Sequence, residues 1–261
     1  MIFTHWLELN IPPLLLCGMI VVFAVGLALG GIFMIQRFFH YRKLKVHNDI
    51  SGPIFGTLGG IYAVLLAFVV IVTWERFERV RLNSEQEVNC LANIYIISEP
   101  FEDSFRDSVR KGLGIYTREI IKEWDILAKG GANPQGLKEL DNLMLLFEKY
   151  HPRNDTEKIL LEKAIDRGSE LLNLRLLRFF EGRIGIHPLL WFILIAGAVI
   201  TITFTAFFGS EVLYAKIWLS ILLAMIIALV LFTVLEFSLP FGGAASISVE
   251  QFKVLILRLG L

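Results

Sequence analysis

The chain has 261 residues, 55% of them hydrophobic, with 25 basic and 25 acidic side chains. That apolar content excludes an ordinary soluble domain of this length, and the even charge excludes a basic nucleic-acid surface. Two cysteines, Cys17 and Cys90, are too few and too far apart for a disulfide framework or a Cys-rich metal site.

Four stretches lack Asp, Glu, Lys and Arg: residues 9–36, 50–74, 184–210 and 217–235. Each is long enough to cross a hydrocarbon core of about 30 Å as a helix, the form that satisfies its own backbone hydrogen bonds. The expected fold is therefore an all-α integral membrane protein with two pairs of transmembrane helices flanking a soluble helical bundle. The expected divisions are 1–74, 75–183, 184–239 and a tail at 240–261.

The first helix is expected over about 11–35. Pro12 and Pro13 sit near its start, where proline costs least. The first eight residues carry no Lys or Arg, so the run reads as a retained helix rather than a cleaved leader. The basic run "RFFHYRKLK" follows. His40 and His47 lie seven residues apart there, and a solvated loop is the expected reading rather than a metal site.

The second helix, about 54–74, has two distinct faces. Gly56, Gly60, Ala63 and Ala67 fall within about 60° of one another and form a row of small residues suited to helix packing. On the other side run Ile54, Leu58, Leu65, Val69 and Val72, then Arg76 and Arg79. That stripe touches lipid or lines a pore. The helical period does not stop at Trp74: Phe77, Val80, Ser84, Val88, Leu91 and Tyr95 continue it, and Pro100 closes it.

The insert 75–183 holds 18 basic and 20 acidic residues. Phe101, Phe105, Val109, Leu113, Tyr116, Ile120, Trp124 and Leu127 form one apolar stripe over seven turns. Gly130, Gly131, Asn133, Pro134 and Gly136 read as a loop, and a short helix follows over about 137–150. Asp155 or Thr156 can cap a last long helix to about Glu181. Glu119, Lys122 and Glu123 read as a charge-mixed surface. His187-Pro188 marks the start of the third membrane helix. Near the end of the fourth stands Glu236, which could pair with Arg178 or Arg183. A turn at Pro240, Gly242 and Gly243 and a short terminal helix capped by Ser248 follow.

Basic residues near membrane ends mark the cytoplasmic side. Arg76, Arg79, Arg81, Arg175, Arg178, Arg183, Lys253 and Arg258 lie on the side of the insert, against Arg37, Arg42, Lys43, Lys45 and Lys216 opposite. This favours an insert in the cytoplasm, and the expected location is the bacterial inner membrane. No P-loop, GxSxG, HExxH or CxxC is present, so no enzyme is expected, and no metal or cofactor.

"GGIYAVLLAFVVIVTWERFERV", with Tyr62, Trp74 and Glu75, and "LEFSLPFGGAASISVEQF", with Glu236, Pro240, Phe241 and Gly242, resemble the signatures of the bestrophin-like family, otherwise called a domain of unknown function. Family members more often carry Asp where Glu236 stands, at tighter spacing from the proline. The resemblance implies a bestrophin-like layout and a homo-oligomer, by analogy a pentamer, whose second helices line an anion pore. Its partners would be membrane lipid, copies of itself and an inorganic ion, with no nucleic acid. The calcium-clasp and neck signatures of true bestrophins are not recognisable. The main alternative is a non-conducting scaffold or sensor whose helical insert binds a partner protein, and a membrane enzyme is a more distant one.

Overall fold

The computed structural model describes residues 11–38 and 48–261, and every α-helix and turn below lies within them. The basic run after the first helix, with His40, Arg42, Lys43, Lys45 and His47, falls outside the described residues. Eight α-helices are described: α1 (Pro13–Phe38), α2 (Asn48–Ile97), α3 (Asp103–Ala128), α4 (Gln135–Lys149), α5 (Asp155–Arg183), α6 (Pro188–Phe204), α7 (Leu213–Phe237) and α8 (Glu250–Leu259). Four of them, α1, α2, α6 with its following 3-10 turn, and α7, are long and apolar enough to cross a membrane. The protein is an all-α integral membrane protein.

The helix bounds differ from expectation at several points. The second helix begins at Asn48 rather than near Ile54, with Pro53 inside it, where the missing N–H leaves the Asp49 carbonyl without its i→i−4 donor. It then runs unbroken for 50 residues, about 75 Å at 1.5 Å per residue. Its start is fixed by Asn48, whose amide donates to the Gly209 carbonyl at 2.7 Å and accepts from the Gly209 N–H at 3.0 Å. Gly136 belongs to α4 rather than to the preceding loop.

The chain divides into two compact units, Met1–Glu75 with Gly185–Ser238, and Arg76–Ile184 with Leu239–Leu261. In the first, α1 and α7 pack closely because alanines meet there: Ala24 and Ala28 on one, Ala224 and Ala228 on the other, all buried. Tyr62, Leu66 and Val69 of α2 and Leu194, Ala198 and Ile202 of α6 complete that core. His187 caps α6 by accepting the Leu189 N–H at its Nδ1, ahead of Pro188. Lys216 is buried and donates to the Ala206 carbonyl at 2.8 Å.

In the second unit the apolar stripe of α3 is the core: Val109, Leu113, Tyr116, Ile120, Trp124 and Leu127 are all buried. Gly130, at φ 72°, ends that helix, and Gly131 returns its N–H to the Ile126 carbonyl at 2.9 Å. The terminal segment belongs to this unit as well. Trp124 donates its indole N–H to the Ile247 carbonyl at 2.8 Å and packs edge-on against Phe241. Ser248 accepts the Glu250 N–H at the start of α8.

The cap of α5 is Asn154, not Asp155 or Thr156. Its Oδ1 accepts the Glu157 N–H at 2.8 Å. Glu157 in turn takes hydrogen bonds from the Arg153 guanidinium, the Arg153 N–H and the Tyr150 hydroxyl. The Arg153 hydrogen bonds hold its carboxyl down to about 2. A carboxyl depressed on folding stabilises the fold above its unfolded value, and that contribution fades as pH falls from about 4.5 toward 2. Acid titration followed by circular dichroism is expected to show a transition in that window, which Glu157→Gln flattens. An unchanged acid limb in the variant would show that the pairing contributes nothing.

Candidate functional site

Helix α2 presents two faces in the membrane unit. One carries Tyr62, Leu66, Val69 and Thr73, all buried, at spacings of four, three and four. The Tyr62 hydroxyl donates to the Leu194 carbonyl at 2.9 Å, and Thr73 returns its hydroxyl to the Val69 carbonyl at 2.8 Å. A phenol in an apolar unit needs a hydrogen-bond partner, so Tyr62 sets which side of α2 faces α6. Gly197 makes room for its ring: a Cβ there would lie 2.5 Å from the ring carbons.

The opposite face is uncovered. Ile61, Val64, Phe68 and Ile71 are 66, 57, 64 and 52% exposed. Gly56, Gly60, Ala63 and Ala67 are exposed too, and a Cβ added at Gly56 or Gly60 meets nothing within 4 Å. The small-residue row therefore packs against no helix of this chain among the described residues.

The stripe Leu58, Leu65, Val69, Val72, Arg76 and Arg79 is not one exposed face. Val69 is buried in the core, Leu65 packs against that core, and Leu58 and Val72 are exposed. Val69 turns toward the chain's own helices, which removes it from any path outside them. Arg76 donates to the Ile184 carbonyl at 2.6 Å, and Arg79 pairs with Glu181 at 3.5 Å.

The two motifs divide between the units. In the first, Trp74 packs edge-on against Phe237, Glu75 is exposed, and Glu236 is buried near the end of α7. In the second, Pro240 accepts the Ile247 N–H at 2.8 Å, Gly242 donates to the Leu239 carbonyl, and Phe241 fits against Gly182, where any side chain would strike its ring.

Sequence reasoning missed a buried ionic cluster in the second unit. Arg178 is 1% exposed, Glu87 0%, Glu123 1% and Arg175 5%. Arg178 donates from Nε to Glu87 at 2.7 Å, Arg175 lies 2.9 Å from Glu123, and the Tyr116 hydroxyl donates to Glu87 at 2.5 Å. The Arg178 guanidinium also stacks over the Trp124 ring, 5.0 Å from its centroid. Burial and then the Glu87 charge push the Tyr116 hydroxyl well above its ordinary value. Glu123 is thus core rather than charge-mixed surface. Arg175 and Arg178 are core residues rather than markers of a membrane face, and the carboxylates around Arg178 are Glu87 and Glu123. One signal was available: Glu87 lies in phase with Val80, Ser84, Leu91 and Ile94, the buried side of α2.

Cys90 is also buried, and burial pushes its thiol up to about 11, so it is a packing residue rather than a reactive one. Among the described residues no group of His, Cys, Asp and Glu is arranged to hold a metal ion. A cavity of about 470 Å³ lies in the membrane unit, lined by apolar side chains including Phe23, Leu27, Trp191, Ile195, Ile227 and Leu231.

The fold has close counterparts. A bacterial bestrophin homologue from Klebsiella pneumoniae, solved by zinc phasing, matches with a TM-score of 0.64 at 13% identity, over 93% of this chain and 98% of that one. A single-residue variant of a bestrophin homologue from the same organism matches at TM-score 0.71 and 13% identity, over 94% and 99%. A crystal structure described as a membrane protein matches at TM-score 0.70 and 13% identity, over 94% and 99%. At these identities the likeness is one of fold. No curated protein matches the sequence. The bestrophin-like domain model, however, matches residues 22–252, which span both units and both motifs. The chain belongs to the bestrophin-like family.

Proposed function

We propose that the protein is a homo-oligomeric ion channel, a pentamer by analogy with bestrophins, in which α2 lines the ion path. The observation that carries this reading is the uncovered face of α2, which among the described membrane helices alone continues into the polar unit. Copies arranged around an axis would cover the small-residue row Gly56, Gly60, Ala63 and Ala67 and turn Ile61, Val64 and Phe68 toward the path. These exposed positions, together with Val72, replace Val69 in the pore stripe. An apolar neck of this kind gates by dewetting. Arg76 and Arg79, just past Trp74 on the same helix, favour anions at its mouth, with Arg79 partly offset by Glu181. The membrane is the bacterial inner membrane, with the insert in the cytoplasm.

Flux from purified protein in liposomes tests the reading. Phe68→Ala is expected to raise flux, and Arg76→Glu to shift the reversal potential toward cations. Flux that neither variant alters would remove α2 from the path. Flux absent from the wild type and from both variants would favour the scaffold reading, in which the polar unit binds a partner protein.

A further inference from the structure

The buried ionic cluster has more donors than acceptors on its Arg175 side. Both oxygens of Glu123 fall on a single Arg175 nitrogen, Nη2, at 3.1 and 2.9 Å. The other, Nη1, is buried and donates to nothing among the described residues. The guanidinium lies 5.7 Å from the Tyr116 ring centroid and rests on the first turn of α4. A Cβ on Gly136 would lie 2.7 Å from Nη2 and 2.9 Å from Nη1, so the glycine is what lets the guanidinium reach that turn. The turn is itself short of acceptors. Pro134 caps α4 without a side-chain hydrogen bond, and no acidic residue stands in the first turn. Asn133 accepts the Gln135 N–H at 3.0 Å, and the Pro134 carbonyl accepts that of Lys138 at 3.2 Å. The N–H groups of Gly136 and Leu137, between them, have no acceptor among the described residues.

We propose that Arg175 Nη1 and the first turn of α4 hold a small inorganic anion of chloride size. Two independent features meet there: a buried cation with a donor to spare, and the positive end of a helix with free N–H groups. Placed together without negative charge they repel, and the one carboxylate at hand, Glu123, is committed to Nη2. Arginine and backbone amides only donate, so the complementary ligand only accepts. Water is a poorer match, because its own two hydrogens would need acceptors and only Glu123 is near. Glu123 is also the closest like charge, and it is offset by Arg175 at 2.9 Å and Arg178 at 3.7 Å. The site uses neither Arg76 nor Arg79 and lies wholly within the polar unit. The ion is therefore structural: it ties the start of α4 to α5.

Thermal unfolding of the full chain in detergent tests this without reference to conduction. Chloride is exchanged for gluconate, too large for the site, at constant ionic strength. Wild-type Tm is expected to rise by about 3–5 °C for each tenfold increase in chloride above its dissociation constant. Arg175→Lys keeps a cation for Glu123 but lacks the second nitrogen, and its Tm should not respond. Arg167→Gln, an exposed arginine of α5 paired with Glu170, should respond like the wild type. Crystals of the wild type grown in bromide should show an anomalous peak beside Arg175 Nη1. A wild-type Tm indifferent to chloride, or a response that survives in Arg175→Lys, would overturn the site. So would a bromide map with no peak there, which reads out even if the lysine variant does not fold.

Discussion

Replacing Arg178 by alanine is expected to destabilise the polar unit by about 3–5 kcal/mol, the usual cost of stranding one partner of a buried ion pair. The substitution leaves the Glu87 carboxylate, 0% exposed, with only the Tyr116 hydroxyl, and opens space beneath the Trp124 ring. Trp124 fluorescence during denaturant unfolding is a direct readout. The companion variant Arg178→Met with Glu87→Met should recover most of the loss, because removing both charges also removes both desolvation costs. A change below about 1 kcal/mol in the single variant, the range of exposed pairs, would show that water reaches the cluster.

A second large effect is expected in the membrane unit. Gly197→Val places branched atoms where a single Cβ would already lie 2.5 Å from the Tyr62 ring. The ring must move, and its hydroxyl then loses the Leu194 carbonyl. Overpacking together with a stranded phenol should cost about 3 kcal/mol. In a double-mutant cycle, Tyr62→Ala with Gly197→Val should be less damaging than the sum of the two, since the smaller residue vacates the contested space. Strict additivity in thermal unfolding in detergent would show that the two residues do not share that space.

Much of the architecture was legible in the sequence because it is written in long periods. Charge-free runs mark the spans, and the three- and four-residue steps from Phe77 to Tyr95 announce that the second helix does not stop at the membrane. The stripe from Val109 to Leu127 names the core of α3. Inside a span the same logic fails. When every face is apolar, hydrophobic period cannot separate core from lipid, and Val69 could not be told from Val72. The residues that do separate them are exceptions to apolarity: Tyr62, whose hydroxyl must reach a carbonyl, and Gly197, which makes room for its ring. The ionic cluster was hidden for a different reason. Arg178 and Glu87 are 91 residues apart, and Arg175 and Glu123 are 52. Each charge on its own helix looks like solvated surface, and only tertiary pairing shows that it is not. The caps were misplaced by one or two residues because Asn154, Asp155 and Thr156 are all competent, and Glu157 selects among them through its N–H.

The order of the two units along the chain has a consequence for biogenesis. Each unit is discontinuous, one interrupted by Arg76–Ile184 and the other joined only later by Leu239–Leu261. Tyr62 waits 132 residues for the Leu194 carbonyl, and Trp124 waits 123 for that of Ile247. At a synthesis rate of about 5–20 residues per second, each gap lasts roughly 6–26 s. Throughout that interval the nascent chain exposes the Trp124 surface that Phe241 and Phe252 later cover. A ribosome that stops before residue 239 leaves the polar unit without its closing segment. Such fragments should be preferred substrates for quality-control proteases, so Leu239–Leu261 act as a late latch on the polar unit.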